Sequence, residues 1–211
     1  MTTQRIQIEH QHLILDPSGV VFWEEEAALL ISDVHLGKVS HFRKYGAAVP
    51  RDIIHKNFEI LQSTLLQYNP KVLCFLGDLF HSHLNREWQL FEQWVSGVKA
   101  RIVLVAGNHD IISPLKYEAL GITIAPELIW GPFLLTHYPE ERDGLFNFSG
   151  HIHPAIKLRG NGKQSLRLPC FFKNRHQLIL PAFGAFTGTH ILEKRKDDEV
   201  YAIADTAVIK I

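Results

Sequence analysis

The chain has 211 residues, of which 46% are hydrophobic and 21% charged, and its formal net charge is zero. This composition excludes a disordered chain, and the length is sufficient to bury the core of a single domain over residues 1–211. Because the net charge is zero, the protein has no overall positive potential of the kind that indicates a nucleic-acid partner.

The sequence lacks the segments that direct proteins to membranes or to the secretory route. No apolar run approaches the roughly 18 residues of a membrane span, and the N-terminus has no apolar segment of the kind found in secretory signals. Cys74 and Cys170 form no disulfide or metal-binding pattern. We therefore expect a cytoplasmic protein with no membrane partner.

The first half of the chain predicts a β-meander followed by alternating strands and helices. Short strand-like runs and a DPSG turn occupy the first 25 residues. ALLIS at 28–32, VLCFL at 72–76 and IVLVA at 102–106 are short and continuously apolar, as is typical of parallel strands buried on both faces. Between them we predict one helix that opens at Pro50 and another from about 86 to 99.

The chain after about residue 120 is predicted to be mostly β. Gly, Pro, Asn or Asp separate its strand-like runs, which are ITIA, FLLTH, LFNFSG, IKLRG, SLRLP, LIL, YAIA and AVIKI. EKRKDDE at 193–199 predicts a solvated turn between the last strands. Because no linker divides the halves, we expect an α/β fold in which two sheets pack into one domain.

Polar side chains follow five of the apolar runs at the point where each run ends. They are Asp33, His35, Asp78, Asn108, His109, Asp110, His137, His151 and His153. The carboxyl ends of parallel strands form ligand sites, and this rule covers the first three runs. The placement of His137, His151 and His153 at the same edge rests on their side-chain types alone.

Carboxylates, imidazoles and one amide, with no thiolate, suit divalent ions such as Mn²⁺, Zn²⁺ or Fe²⁺. Seven ligands exceed the needs of one tetrahedral ion and suit two ions that share a carboxylate. Taken singly, Asp33 and Asp78 could instead be N-caps of helices that follow their strands. His81 and His83 could lie at the surface, or they could contact the ligands without binding the metal.

The ordered motifs DVH, GDLFH, GNHD, a lone His137 and GHIH, from residue 33 to 153, resemble the calcineurin-like metallophosphoesterase superfamily. The resemblance implies a double-β-sheet sandwich flanked by helices. It implies two divalent ions, a bridging hydroxide as nucleophile, His109 as proton donor and Asp110 as the group that orients its ring. The implied ligands are Asp33, His35 and His153 for one ion, Asn108, His137 and His151 for the other, and Asp78 as the bridge.

A narrower resemblance spans nearly the whole chain. DVHLGK, FRKYG, IKLRGNGKQSLRLPCFF and LILPAFGAFTG are similar to bacterial ligase-associated DNA-damage-response endonucleases. This resemblance implies a Mn²⁺-dependent phosphodiesterase that acts on DNA in DNA repair. It also implies a DNA ligase or helicase as a possible partner.

Segment 157–176 contains six lysines and arginines, no acidic residue, and Phe171 and Phe172. Basic residues with aromatic ones suit phosphate contacts and base stacking on single-stranded or hairpin DNA. Lys38, Arg43 and Arg167 are our candidate substrate contacts. The alternative is a solvated hairpin with two core phenylalanines.

Two other functions stay open from the sequence. The metal core would equally serve a phosphomonoesterase or a cyclic-nucleotide phosphodiesterase that acts on small molecules. The second alternative is a protein-interaction scaffold without catalytic activity, although the presence of His109 and of every ligand argues against it.

Overall fold

A computed structural model describes residues 1–44, 46, 52–81, 83–160, 162, 164–185 and 187–211. For His41, Arg43, Lys44 and Asp52 it describes the backbone alone. The predicted helix start at Pro50 lies outside the described residues. None of the helices in these ranges combines the length and apolar character needed to cross a membrane.

The first sheet has seven strands within the described residues, in the order β1-β2-β3-β4-β5-β6-β7. They are β1 (Gln4–Ile8), β2 (Gln11–Leu15), β3 (Val21–Trp23), β4 (Ala28–Ile31), β5 (Val72–Leu76), β6 (Arg101–Val105) and β7 (Thr123–Ala125). Strands β1 to β4 pair antiparallel, and β4 to β7 pair parallel. The predicted N-terminal meander and the three predicted parallel strands are confirmed.

The second sheet is also mixed, and its main path has the order β14-β11-β12-β13-β10-β9-β8. The strands of this half are β8 (Leu128–Trp130), β9 (Phe133–Leu135), β10 (Phe146–Ser149), β11 (Pro154–Arg159), β12 (Ser165–Lys173), β13 (Gln177–Ile179), β14 (His190–Ile191), β15 (Glu199–Ala204) and β16 (Ala207–Lys210). Strand β10 is parallel to both β9 and β13, whereas β11 and β12 form an antiparallel hairpin. The short strands β8 and β14 were not predicted.

The described helices are α1 (Lys38–Lys44), α2 (Asp52–Tyr68), α3 (Arg86–Ser96) and α4 (Pro114–Glu118). Helix α3 begins after Asn85, whose side chain accepts a hydrogen bond from the Glu87 N–H at 2.8 Å. It ends before Gly97, whose N–H bonds back to the last turn. The helix is therefore shorter than the predicted span to about residue 99, because Gly97 closes it.

Alternate residues of the parallel strands bury their side chains in opposite directions. Leu30 and Cys74 face the second sheet, in a cluster that includes Phe148. Leu29 and Phe75 face the other way, where α2 and α3 pack on them. The chain is thus a double-sheet α/β sandwich, as predicted, with these two helices on the outer face of the first sheet.

Candidate metal centre

The predicted ligands follow neighbouring parallel strands in both sheets. Asp33 and His35 follow β4, Asp78 follows β5 and Asn108 follows β6. His137 follows β9, and His151 and His153 follow the adjacent strand β10. Because β9 and β10 are parallel, the strand-end rule also applies to the second sheet. The structure brings all seven side chains to the edge where the two sheets meet.

The first group of side chains contains Asp33, His35 and His153. The Nε2 atom of His153 lies 3.1 Å from Oδ1 of Asp33 and 3.3 Å from Nε2 of His35. Nε2 of His35 is 3.9 Å from the same Asp33 oxygen. These three atoms are close enough together to coordinate one ion.

The second group contains Asp78, His137 and His151. Nε2 of His137 lies 3.4 Å from Oδ1 of Asp78 and 3.2 Å from Nδ1 of His151. Asn108 adds its amide oxygen, which is 3.1 Å from the same His137 nitrogen. One carboxylate, two imidazoles and one amide therefore surround a second position.

Asp78 connects the two groups. Its Oδ1 atom faces His137, while its Oδ2 atom lies 3.9 Å from Nε2 of His35. A carboxylate that directs one oxygen toward each position has the arrangement required of a bridging ligand. Asp78 is also buried, which limits the access of bulk water to its carboxylate.

The donor set fits divalent ions. The Nδ1 atoms of His137 and His153 face the carbonyl oxygens of Leu76 and Gly188, at 3.0 and 3.1 Å. When Nδ1 donates to a carbonyl, the lone pair of Nε2 is free to bind a metal. Oδ1 of Asp33 is buried, and apart from Nε2 of His153 at 3.1 Å it has no hydrogen-bond partner among the described residues. A cation bound between these two residues would be coordinated by Oδ1 of Asp33 and Nε2 of His153.

The backbone at the centre is held in an uncommon conformation. Asp33, His35, Asp78, His151 and His153 have φ values between 51° and 64°, in the left-handed region that costs a residue with a Cβ atom about 1–3 kcal/mol. Residues outside the centre also adopt positive φ values. Five of the seven candidate ligands nevertheless share this conformation, which indicates that the fold maintains local strain in order to aim these side chains.

Three glycines bring the backbone close to the candidate ligands. A Cβ atom on Gly77 would lie 2.2 Å from Nδ1 of His137, and one on Gly107 would lie 2.3 Å from Oδ1 of Asp78. A Cβ atom on Gly150 would lie 1.6 Å from Oγ of Ser32. The glycines of the GD, GN and GH motifs are therefore required by close packing.

Burial and hydrogen bonds set the charge of the first group. Burial raises the pKa of Asp33, but its bonds with His153 and Ser32 outweigh this effect and leave the pKa below its ordinary value. Burial lowers the pKa of His35 to about 3, so this imidazole is neutral and able to bind a metal. Burial also lowers the pKa of His153, but Asp33 reverses the shift and raises it.

His109 lies beside the first group. Its backbone N–H donates to Oδ1 of Asp78 at 2.9 Å, and its ring centroid is 5.7 Å from that of His35. The ring also packs against His81 at 4.2 Å. The imidazole is therefore adjacent to both Asp78 and the first group of candidate ligands.

Asp110 binds the backbone of two neighbouring loops through its carboxylate. Its Oδ1 atom accepts a hydrogen bond from the N–H of Phe80 at 3.0 Å, and Oδ2 accepts one from the N–H of Gly107 at 2.8 Å. The carboxylate thus holds the backbone of the loops that carry Asp78 and Asn108, and the ring-orienting role expected for Asp110 stays a prediction. Burial raises the pKa of Asp110 to about 6.

Two of the three predicted substrate contacts are described, and both lie near the first group. Lys38 starts α1, where burial lowers its pKa and the charges of Asp78 and Asp33 counteract the shift. Arg167 donates to the carbonyl of Thr189, the residue after Gly188. The side chain of Arg43 lies outside the described part of the chain.

The predicted basic hairpin is present, but its phenylalanines are not available to DNA. Lys157 on β11 pairs with Arg167 on β12, and both side chains are exposed. Phe171 is fully buried between the sheets, and Phe172 is 7% exposed in a separate apolar cluster. Base stacking on these two rings is therefore excluded, and the alternative that they belong to the core is correct.

Sequence reasoning missed two residues near the centre. Glu87 is buried and accepts hydrogen bonds from the N–H groups of Gly37 and Ser40, at 2.6 and 3.0 Å, so it fixes the start of α1. Tyr138 packs its ring against His137 and His151. The position of Tyr138 beside His137 in the sequence was an available signal, whereas no pattern distinguished Glu87 from an ordinary acid in the first turn of a helix.

The comparisons with known proteins agree with this geometry. The family model for calcineurin-like phosphoesterase matches residues 28–184. The crystal structure of Pseudomonas putida nuclease MPE is similar with a TM-score of 0.84 and 27% sequence identity, over 99% of this chain and 100% of that chain. The comparison with curated protein sequences gives no match. This chain belongs to the calcineurin-like phosphoesterase family and is a metal-dependent phosphoesterase.

Proposed function

We propose that this protein is a binuclear phosphodiesterase that cleaves DNA, as an endonuclease of DNA repair. The observation that carries the proposal is the pair of ligand groups that share Asp78. Its likeness to a nuclease over nearly the whole chain supports a nucleic-acid substrate.

We assign the ligands as the sequence predicted them. Asp33, His35 and His153 would hold one ion, Asn108, His137 and His151 the other, and Asp78 both. Two divalent cations, with Mn²⁺ as our first choice ahead of Zn²⁺ and Fe²⁺, would neutralise the phosphoryl oxygens and supply a hydroxide nucleophile at neutral pH. The neutral imidazole of His35 and the low pKa of Asp33 leave both ready to coordinate without loss of a proton.

His109 would donate a proton to the leaving oxygen. Its backbone bond to Asp78 fixes the residue relative to both ligand groups, and Asp110 fixes the loop around it. Proton donation by a positioned imidazole accelerates such reactions by about 10²–10⁴-fold.

The DNA backbone would lie on the side of the first group. Lys157 and Arg167 are directly opposed on the hairpin, and like charges in this position destabilise a strand pair. A phosphate between them would remove that repulsion, and Lys38 would contact a phosphate closer to the centre. Arg43 remains a proposed contact on α1.

The test is metal-dependent hydrolysis by protein stripped with EDTA and reloaded with Mn²⁺. We expect hydrolysis of bis-para-nitrophenyl phosphate to exceed that of para-nitrophenyl phosphate. We also expect single-stranded circular DNA to be opened, which only an endonuclease can do. Asp78→Asn should abolish both activities, while His55→Gln, an exposed change on α2, should leave them intact.

Other outcomes would overturn the proposal in distinct ways. Preference for the monoester would identify a phosphomonoesterase, and cleavage of cyclic nucleotides without cleavage of DNA would identify a small-molecule phosphodiesterase. Absence of hydrolysis in protein that retains two ions per chain would favour the scaffold function.

A further inference from the structure

The aromatic ring of Tyr138 lies beside the second ligand group. Its ring centroid lies 4.3 Å from that of His151 and 5.0 Å from that of His137. The residue nevertheless remains 50% exposed. One part of the side chain thus packs on two candidate ligands, and the remainder is open to solvent.

The segment that carries Tyr138 is held rigidly. The Thr136 hydroxyl donates to the Tyr138 carbonyl at 2.6 Å. The amide of buried Asn147 donates to that hydroxyl at 2.7 Å and to the Leu134 carbonyl at 3.0 Å. A ring on a fixed backbone loses little conformational freedom when a flat ligand binds to it.

Charge divides the centre into two sides. Lys38 and Arg167 lie on the side of the first group, where they suit phosphates. The chain beyond Tyr138 continues with Glu140 and Glu141, and the guanidinium of Arg142 is bound by Glu140 and Glu127. The side of Tyr138 therefore offers an uncharged aromatic surface with little attraction for phosphate.

We infer that Tyr138 is a stacking platform for a nucleobase beside the scissile phosphate, an inference that rests on the proposed DNA substrate. The phosphates lie along Lys38 and Arg167, and the base on the opposite side lies on the Tyr138 ring. A paired base already stacks between its neighbours, so the base that contacts Tyr138 is unpaired.

The experiment measures DNA binding to metal-free protein in EDTA, so that its readout does not depend on turnover. The probe is a fluorescein-labelled thymidine oligonucleotide with one 2-aminopurine. Anisotropy reports affinity, and quenching of 2-aminopurine reports stacking. Because base–aromatic stacking is worth a factor of about ten or more in affinity, we expect Tyr138→Ala to weaken binding about tenfold and to remove the quenching. Tyr138→Phe should preserve both signals.

The matched control is Leu66→Ala, which removes a side chain that is 74% exposed from α2. It should bind and quench as the wild type does. Unchanged quenching in Tyr138→Ala, together with DNA cleavage by the wild type, would overturn the stacking role and leave the nuclease function standing. Failure of the wild type both to bind and to cleave the oligonucleotide would overturn the proposed DNA substrate and the stacking role together.

Discussion

Nε2 of His153 lies 3.1 Å from Oδ1 of Asp33, although the two residues follow strands of different sheets. Asp33 follows β4 in the first sheet, and His153 follows β10 in the second. An ion bound by both residues would tie the sheets together at this edge. Because ligands that bind only the folded state stabilise it, metal occupancy and global stability should be coupled.

We therefore expect metal removal to lower Tm. With free Mn²⁺ about 1,000-fold above its Kd, each bound ion contributes about 4 kcal/mol, which corresponds to roughly 8–16 °C per ion for a chain of this size. Calorimetry before and after EDTA treatment measures the shift. Elemental analysis should find two ions per wild-type chain and about one in His153→Ala, whose Tm should respond less to Mn²⁺. An equal response in the variant would contradict a ligand role for His153.

Replacement of His109 should affect chemistry without affecting metal content. His109→Gln should lower kcat on DNA by about 10²–10⁴-fold. The loss on bis-para-nitrophenyl phosphate should be smaller, because nitrophenolate leaves readily without a proton whereas a deoxyribose oxygen does not. Steady-state kinetics on the two substrates, with the ion content of each sample, makes the comparison. Equal losses on both would point to phosphate binding in place of proton donation.

The parts of this protein that could be predicted are those with a local signal. The parallel order of β4, β5 and β6 was predictable from their continuously apolar sequences. The polar residues after these strands indicated that a ligand site lies at their shared edge. Strand β14 has only two residues, which is too short for an alternating pattern to be recognised. The Asp110 carboxylate accepts hydrogen bonds from the backbone N–H groups of Phe80 and Gly107. These contacts are formed only when the chain folds, so no local sequence pattern indicates them.

Gly150→Ala should damage the centre far more than an alanine at an ordinary glycine. The new Cβ atom would lie 1.6 Å from Oγ of Ser32 and 2.4 Å from Oδ2 of Asp33, so the ends of β4 and β10 must separate. We expect a loss of at least about 1–3 kcal/mol of stability and a reduced ion content. Gly97→Ala is the control, since its Cβ meets the Trp94 carbonyl at an ordinary 3.5 Å. Equal ion content in the two variants would contradict the packing argument.

Glu199 predicts a pH-dependent contribution to stability at a site remote from the ligands. Its carboxylate binds Lys173 at 2.6 Å and also binds Lys210, and these bonds lower its pKa from 4.5 to about 2. A lowered carboxyl pKa stabilises the folded state above about pH 4.5, and the contribution is lost as the pH falls toward 2. Glu199→Gln should lower Tm at pH 7 by about 2–4 °C, equivalent to about 1 kcal/mol for a partly exposed ion pair.

The corresponding measurement is a series of melting curves for wild type and Glu199→Gln between pH 7 and pH 2. The difference in Tm should be constant down to about pH 5 and should then shrink. Glu193→Gln, a change at an exposed carboxylate, should show no such difference. A gap between wild type and Glu199→Gln that widens toward acid would reverse the sign and refute the assignment.

The salt dependence of DNA binding tests the role of the basic hairpin. Each phosphate contact on single-stranded DNA contributes about 0.7 to the slope of log affinity against log salt concentration. Lys157→Ala should therefore reduce that slope by about 0.7 and weaken binding at low salt to a similar degree for different sequences. Lys71→Ala removes an exposed lysine just before β5, at the opposite end of that strand from Asp78, and should leave the slope unchanged. Titrations by fluorescence anisotropy at several salt concentrations give both slopes. If the Lys157 and Lys71 variants have the same slope as the wild type, the hairpin is a solvated surface and the phosphates must bind elsewhere.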